Sequence, residues 1–154
     1  MNRIARLLPL LTTIAWAATL VVPVLDSGNT EGPRIVVTSL GGRPFDLDKV
    51  EAVFVLAWIS VLGCAISGWI LRSLRWWSVT TMLVAGALGT LLASMIRNPP
   101  IIMWDGVDAQ GRMTGGAAIG EPAIGALIWA IGIVALLVAG VCGLVGATRL
   151  PAGR

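Results

Sequence analysis

Residues 52–96 read AVFVLAWISVLGCAISGWIL-RSLR-WWSVTTMLVAGALGTLLASMI: two apolar runs, about residues 52–71 and 77–96, on either side of the basic segment Arg72 to Arg75. Neither run contains Asp, Glu, Lys or Arg. Each is close to the roughly 20 residues a helix needs to cross about 30 Å of hydrocarbon. A connection of about four residues joins antiparallel neighbours, so the pair is expected to be a membrane-embedded helical hairpin.

Two more uncharged apolar stretches lie outward of it, about residues 7–25 and 123–148. The expected fold is therefore an all-α integral membrane protein, residues 1–154 forming one domain of four transmembrane helices. Composition agrees: 154 residues, 56% hydrophobic and 12% charged, with a mean hydropathy of +0.88, lie far from a soluble domain. Arg3 and Arg6 followed by the Ala15-Trp16-Ala17 run also resemble a signal peptide. An apolar stretch of about 19 residues exceeds the usual leader core, so an uncleaved anchor is expected. Pro9 stands early in this span, and Pro23 is expected to kink or end it.

The loops Asp26–Glu51 and Arg97–Glu121 are long. In the first, the β-branched run Ile35 to Thr38 suits a strand, Gly41-Gly42 a turn, and Asp48 with Glu51 a cap for the second helix. In the second, Asn98-Pro99-Pro100 precedes another candidate strand, Ile101–Trp104, then a Gly-rich stretch, with Pro122 expected in the first turn of helix 4. The strands of the two loops are expected to pair into a small β cap.

Arg3, Arg6, Arg72, Arg75, Arg149 and Arg154 are concentrated in about 18 residues of tails and short turn, whereas Arg34, Arg43, Lys49, Arg97 and Arg112 are spread over about 51. Basic density therefore places both termini in the cytoplasm and the long loops outside. All eight acidic residues fall in those loops. Trp69, Trp76 and Trp77 cluster around the short turn, where an aromatic belt is expected.

Several chemistries have little to work with. There is no His, the commonest metal ligand and the side chain that titrates near neutrality. The spans carry no ionisable group of the kind that marks proton and ion paths. Their hydroxyls (Thr12, Thr13, Thr19, Ser60, Ser67, Ser78, Thr80, Thr81, Thr90 and Ser94) usually bond back to their own helix or a neighbour. Cys64 and Cys142 are expected to differ in depth by roughly 10 Å, too far for a disulfide within one chain. Asp46, Asp48, Glu51, Asp105, Asp108 and Glu121 are the remaining candidates for acid–base or cation chemistry, and solvated loops account for them more simply. No catalytic, cofactor or metal site is expected. The dispersed basic residues give no nucleic-acid footprint.

Helix packing carries the clearest signal. Ala135, Ala139, Gly143 and Ala147 recur every fourth residue in helix 4, and Ala85, Gly89 and Ala93 do so in helix 3. Such stripes let backbones approach closely in lipid, either within the bundle or against a larger partner, for which the helix 4 stripe is the expected docking face. Gly86, Thr90 and Ser94 make a second small face on helix 3. Ile101, Ile102, Met103 and Trp104 either rest on lipid headgroups or form a contact patch for another chain.

In its Ala/Gly/Val/Arg-rich style the sequence resembles small four-helix membrane proteins of high-GC bacteria, which implies a bacterial plasma membrane. The expected role is a non-catalytic accessory subunit that stabilises or regulates a larger membrane complex, a lipid or solute transporter or a respiratory assembly. Its partners are then that complex and membrane lipid. The alternatives are a small self-assembling channel or lipid-binding transporter, and an outer-surface enzyme acting on a lipid-linked substrate.

Overall fold

The computed structural model describes residues 2–28, 33–42, 52–71, 73–106, 110–112 and 114–148. Four helices dominate it: α1 (Asn2–Ala18), α2 (Ala52–Ile70), α3 (Leu74–Arg97) and α4 (Ile124–Thr148). Five short strands lie between them: β1 (Leu25–Asp26), β2 (Val36–Val37), β3 (Ile101–Trp104), β4 (Gly116–Ile119) and β5 (Glu121–Pro122). α4 is the central helix, packed against α1 and α3, while α2 touches α1 and α3 more lightly.

α2, α3 and α4 are long and apolar enough to cross a membrane. α1 is not: its apolar part runs from Ala5 to Ala18, about 21 Å at 1.5 Å per residue. The apolar stretch expected to form one helix to residue 25 leaves helical geometry at Ala18, five residues before Pro23. The cause is a long-range contact. The Ser39 hydroxyl donates to Trp16 O at 3.1 Å, and the Ser39 backbone N–H donates to Thr19 O at 3.1 Å. The Thr19 carbonyl is thus satisfied from outside, and Trp16 O, which also accepts from the Thr19 hydroxyl at 2.8 Å, gains a second donor. Ser39 is held in place by the Thr38–Gly41 turn, in which Gly41 takes the left-handed φ of 98°. Its own carbonyl accepts from Trp58 Nε1 at 3.1 Å, so one buried serine joins the ends of α1 and α2.

Both strands expected from the sequence exist, but they do not pair with each other. β2 pairs with β1, and β1 with β5, in a three-stranded antiparallel sheet that joins the two long loops. β3 pairs instead with β4, out of the Gly-rich stretch, as a separate hairpin. Gly and Ala are poor strand formers. Here Gly116 is required by contact, since a Cβ on it would stand 2.7 Å from the Trp104 ring. Pro122 falls in β5, two residues before α4 begins. The expected cap for α2 at Asp48 and Glu51 lies outside the described residues.

The core has two centres. Near the strands, Trp16 of α1 stacks on Trp129 of α4 with ring centroids 4.4 Å apart and planes 7° apart, and Phe54 of α2 tilts against Trp129. Trp129 Nε1 donates to Thr19 Oγ1 at 2.7 Å, while Trp16 Nε1 is buried with no hydrogen-bond partner among the described residues. At the other end, Ala5, Trp77 and Ala139 bring α1, α3 and α4 together. Trp77 Nε1 donates to Cys64 O of α2 at 3.1 Å, closing the α2–α3 hairpin. Trp77 is therefore a core residue and not part of an aromatic belt. Trp69 on α2 is exposed, and so is Trp76, because adjacent helical residues point about 100° apart.

Candidate functional site

The small residues of α4 are occupied within the chain. A Cβ at Gly125 would stand 2.3 Å from Pro23 O, at Gly132 3.1 Å from Ala15 Cβ, and at Gly140 2.5 Å from Met82 Cγ. At Gly143 it would meet the Ser78 hydroxyl and, at 3.2 Å, the Trp77 ring. Ala135 and Ala139 are buried, and Ala147 is half-buried near the helix end. Thr12 Oγ1 adds a donor to Gly132 O at 2.8 Å, which close backbone approach allows. α4 thus brings both α1 and α3 close.

On α3 the two small faces differ. Ala85 is buried and Gly89 is half-buried, its nearest foreign atom Ile133 Cγ2 at 3.9 Å from a built Cβ. Ala93 is exposed, as are Gly86, Ala87, Thr90 and Ser94. A Cβ at Gly86 meets nothing within 4 Å. Within about three turns α3 therefore presents an open face of five small residues that no other part of the described chain covers.

The β3–β4 hairpin is the second exposed feature. Ile101, Ile102 and Met103 are exposed and Trp104 is half-buried, its Nε1 donating to Thr114 O at 3.2 Å. At the sheet end of the bundle a cavity of about 230 Å³ is lined by Leu25, Val37, Gly41, Gly42, Phe54, Met95, Asn98 and Pro100.

Most hydroxyls of the spans are engaged on their own helices. Thr13, Thr19, Ser60, Ser67, Ser78, Thr80, Thr81 and Thr90 each donate to a carbonyl three or four residues back. Cys64 is buried, Cys142 is half-buried, and both are free thiols. Of the carboxylates singled out from the sequence, Asp46, Asp48, Glu51 and Asp108 lie outside the described residues. Asp105 follows β3 and Glu121 opens β5, at opposite ends of the hairpin. Among the described residues, no group of three or more His, Cys, Asp or Glu is placed to hold a metal ion.

Asp26, which the sequence did not single out, makes the best-built polar contact. Arg34 Nε and Nη2 grip its two carboxylate oxygens at 2.9 and 2.5 Å, and Gly28 N–H donates to it at 3.0 Å. The Arg34 hydrogen bonds hold the Asp26 carboxyl below its usual pKa, with a smaller opposing effect of burial. This fork ties β1 to the segment leading into β2, a role in the cap.

No protein-family model, curated protein or solved structure matches the chain.

Proposed function

We propose that the protein is a non-catalytic accessory subunit of a bacterial plasma membrane, crossing the bilayer four times with both termini in the cytoplasm. The outer face of α3 docks it on a larger integral membrane assembly, a lipid or solute transporter or a respiratory complex, which it stabilises or regulates. One observation carries this reading: Gly86, Ala87, Thr90, Ala93 and Ser94 stay open on α3 while the equivalent residues of α4 are used internally. In lipid, helix association depends on close packing more than on apolar burial, so a small-residue face is worth most when another helix covers it.

For the first crossing, Leu20, Val21 and Val22 continue the apolar track beyond α1, with Val21 86% exposed. The orientation rests on the density of arginine in the tails and the α2–α3 turn. Purification from native membranes in mild detergent, followed by mass spectrometry of co-purifying chains, tests the assignment. Recovery of a stoichiometric larger membrane protein is expected; recovery as an isolated monomer contradicts it. The cavity at the sheet end favours a second reading, a lipid-binding transporter. Lipid flux in liposomes containing this protein alone would favour that reading over the first.

A further inference from the structure

We infer that the β3–β4 hairpin is an interfacial anchor, its apolar face seated in the headgroup and upper acyl region of the leaflet at the sheet end of the bundle. The register places Ile101 opposite Ile119 and Met103 opposite Ala117. Residues two apart on a strand share a face, so these four side chains form one surface. Ile101 is 54% exposed, Met103 79% and Ile119 49%. The reverse face is partly covered: Ala118 is buried and Trp104 lies over Gly116, while Ile102 stays 39% exposed, and a Cβ at the neighbouring Gly120 would meet Pro100 and Ile35.

The height of the hairpin follows from its surroundings. Leu25 of β1 and Val37 of β2 share a cavity wall with Phe54 from the first turn of α2 and Met95 from the last turn of α3. The sheet therefore stands level with the helix ends, where the hydrocarbon gives way to headgroups. Gly120, against Ile35, sets the base of the hairpin at that level. Ile96 at the end of α3 and Ile124 and Leu127 at the start of α4 are exposed apolar residues at the same end of their helices.

A two-stranded hairpin has little stability of its own, so covering its exposed apolar face stabilises it. Its exposed face is aliphatic and lacks the Trp, Tyr or Arg anchors that carry protein–protein hot spots. A lipid surface fits that chemistry, and α3 and α4 bring it within a few residues.

The test uses the purified full chain in phosphatidylcholine nanodiscs. In a Cys64→Ala/Cys142→Ala background, Met103→Cys carries an environment-sensitive dye. The expected emission is blue-shifted relative to the same dye on a small water-soluble thiol, quenched by brominated acyl chains and shielded from aqueous iodide. Water-like emission open to iodide overturns the proposal. So does a blue shift that appears only as protein per disc rises, which would indicate a second copy, or only in native membranes, which would indicate a protein partner. A second measurement keeps the native cysteines. Trypsin cleavage at Arg112 is expected to be faster in Ile101→Ser/Met103→Ser/Ile119→Ser nanodiscs than in wild type, and an unchanged rate overturns the proposal.

Discussion

α3 and α4 carry the same signature, small residues at four-residue spacing, and use it in opposite ways. On α4 the positions are filled: Ala135 and Ala139 are buried and Trp77 reaches Gly143, while Pro23, Ala15 and Met82 close on the neighbouring glycines Gly125, Gly132 and Gly140. On α3 the outer positions face away from the bundle, and a Cβ at Gly86 would meet nothing within 4 Å among the described residues. Small-residue spacing thus shows that a backbone can be approached closely, but not by which neighbour. The neighbour is decided by residues far away in sequence.

The sharpest way to break the contrast is at Gly125. There an added methyl meets the Pro23 carbonyl, rigid backbone at 2.3 Å that cannot swing aside. Gly125→Ala is expected to cost about 3 kcal/mol, the upper end of overpacking penalties. Gly140→Ala, whose nearest obstacle is the flexible Met82 side chain at 2.5 Å, should cost less. Thermal unfolding in detergent reads both, and equal losses would refute the distinction between rigid and yielding neighbours.

Next is the polar contact that couples α4 to α1. Thr19→Val removes the acceptor of the Trp129 N–H inside the core, at a cost of about 1–3 kcal/mol for a buried donor left unpaired. The shift should appear in unfolding followed by tryptophan fluorescence.

A smaller effect tests the cap. Asp26 is depressed in the fold by its Arg34 hydrogen bonds, so its stabilisation is present above its ordinary pKa of 3.8 and is lost as pH falls through the lower folded value. Taken from neutral pH to below that range, the wild type should lose more thermal stability than Asp26→Asn. Parallel curves would show that the pair contributes nothing.

The smallest change is expected on the open face. Gly86→Leu should alter the stability of the isolated protein by no more than about 0.5 kcal/mol, as for surface substitutions. A large loss in detergent would mean that this face is already used within the chain.

The sequence made the three long helices legible to within about three residues at either end, because length, apolarity and missing charge all agree there. It misled at the end of α1. Nothing between residues 18 and 25 announces that Ser39 will take the helix carbonyls, and an apolar run reads the same whether it ends as helix or as strand β1. It marked Ile101–Trp104 as a strand and missed its partner, since three of the four residues in Gly116–Ile119 are Gly or Ala, weak strand formers. Trp77 was hidden by its neighbour Trp76: two adjacent tryptophans look like one feature until helical geometry separates them. Of the interaction surface, the stripes themselves were visible. Which of them remained free depended on tertiary contacts alone.

The most direct test of the accessory-subunit assignment is site-specific photocrosslinking in native membranes, with a photoreactive residue at Thr90 on the open face of α3 and, as control, at Ile131 on the exposed side of α4. One discrete adduct with a larger membrane protein is predicted from Thr90 and none from Ile131. Adducts with lipid alone from both positions would contradict it.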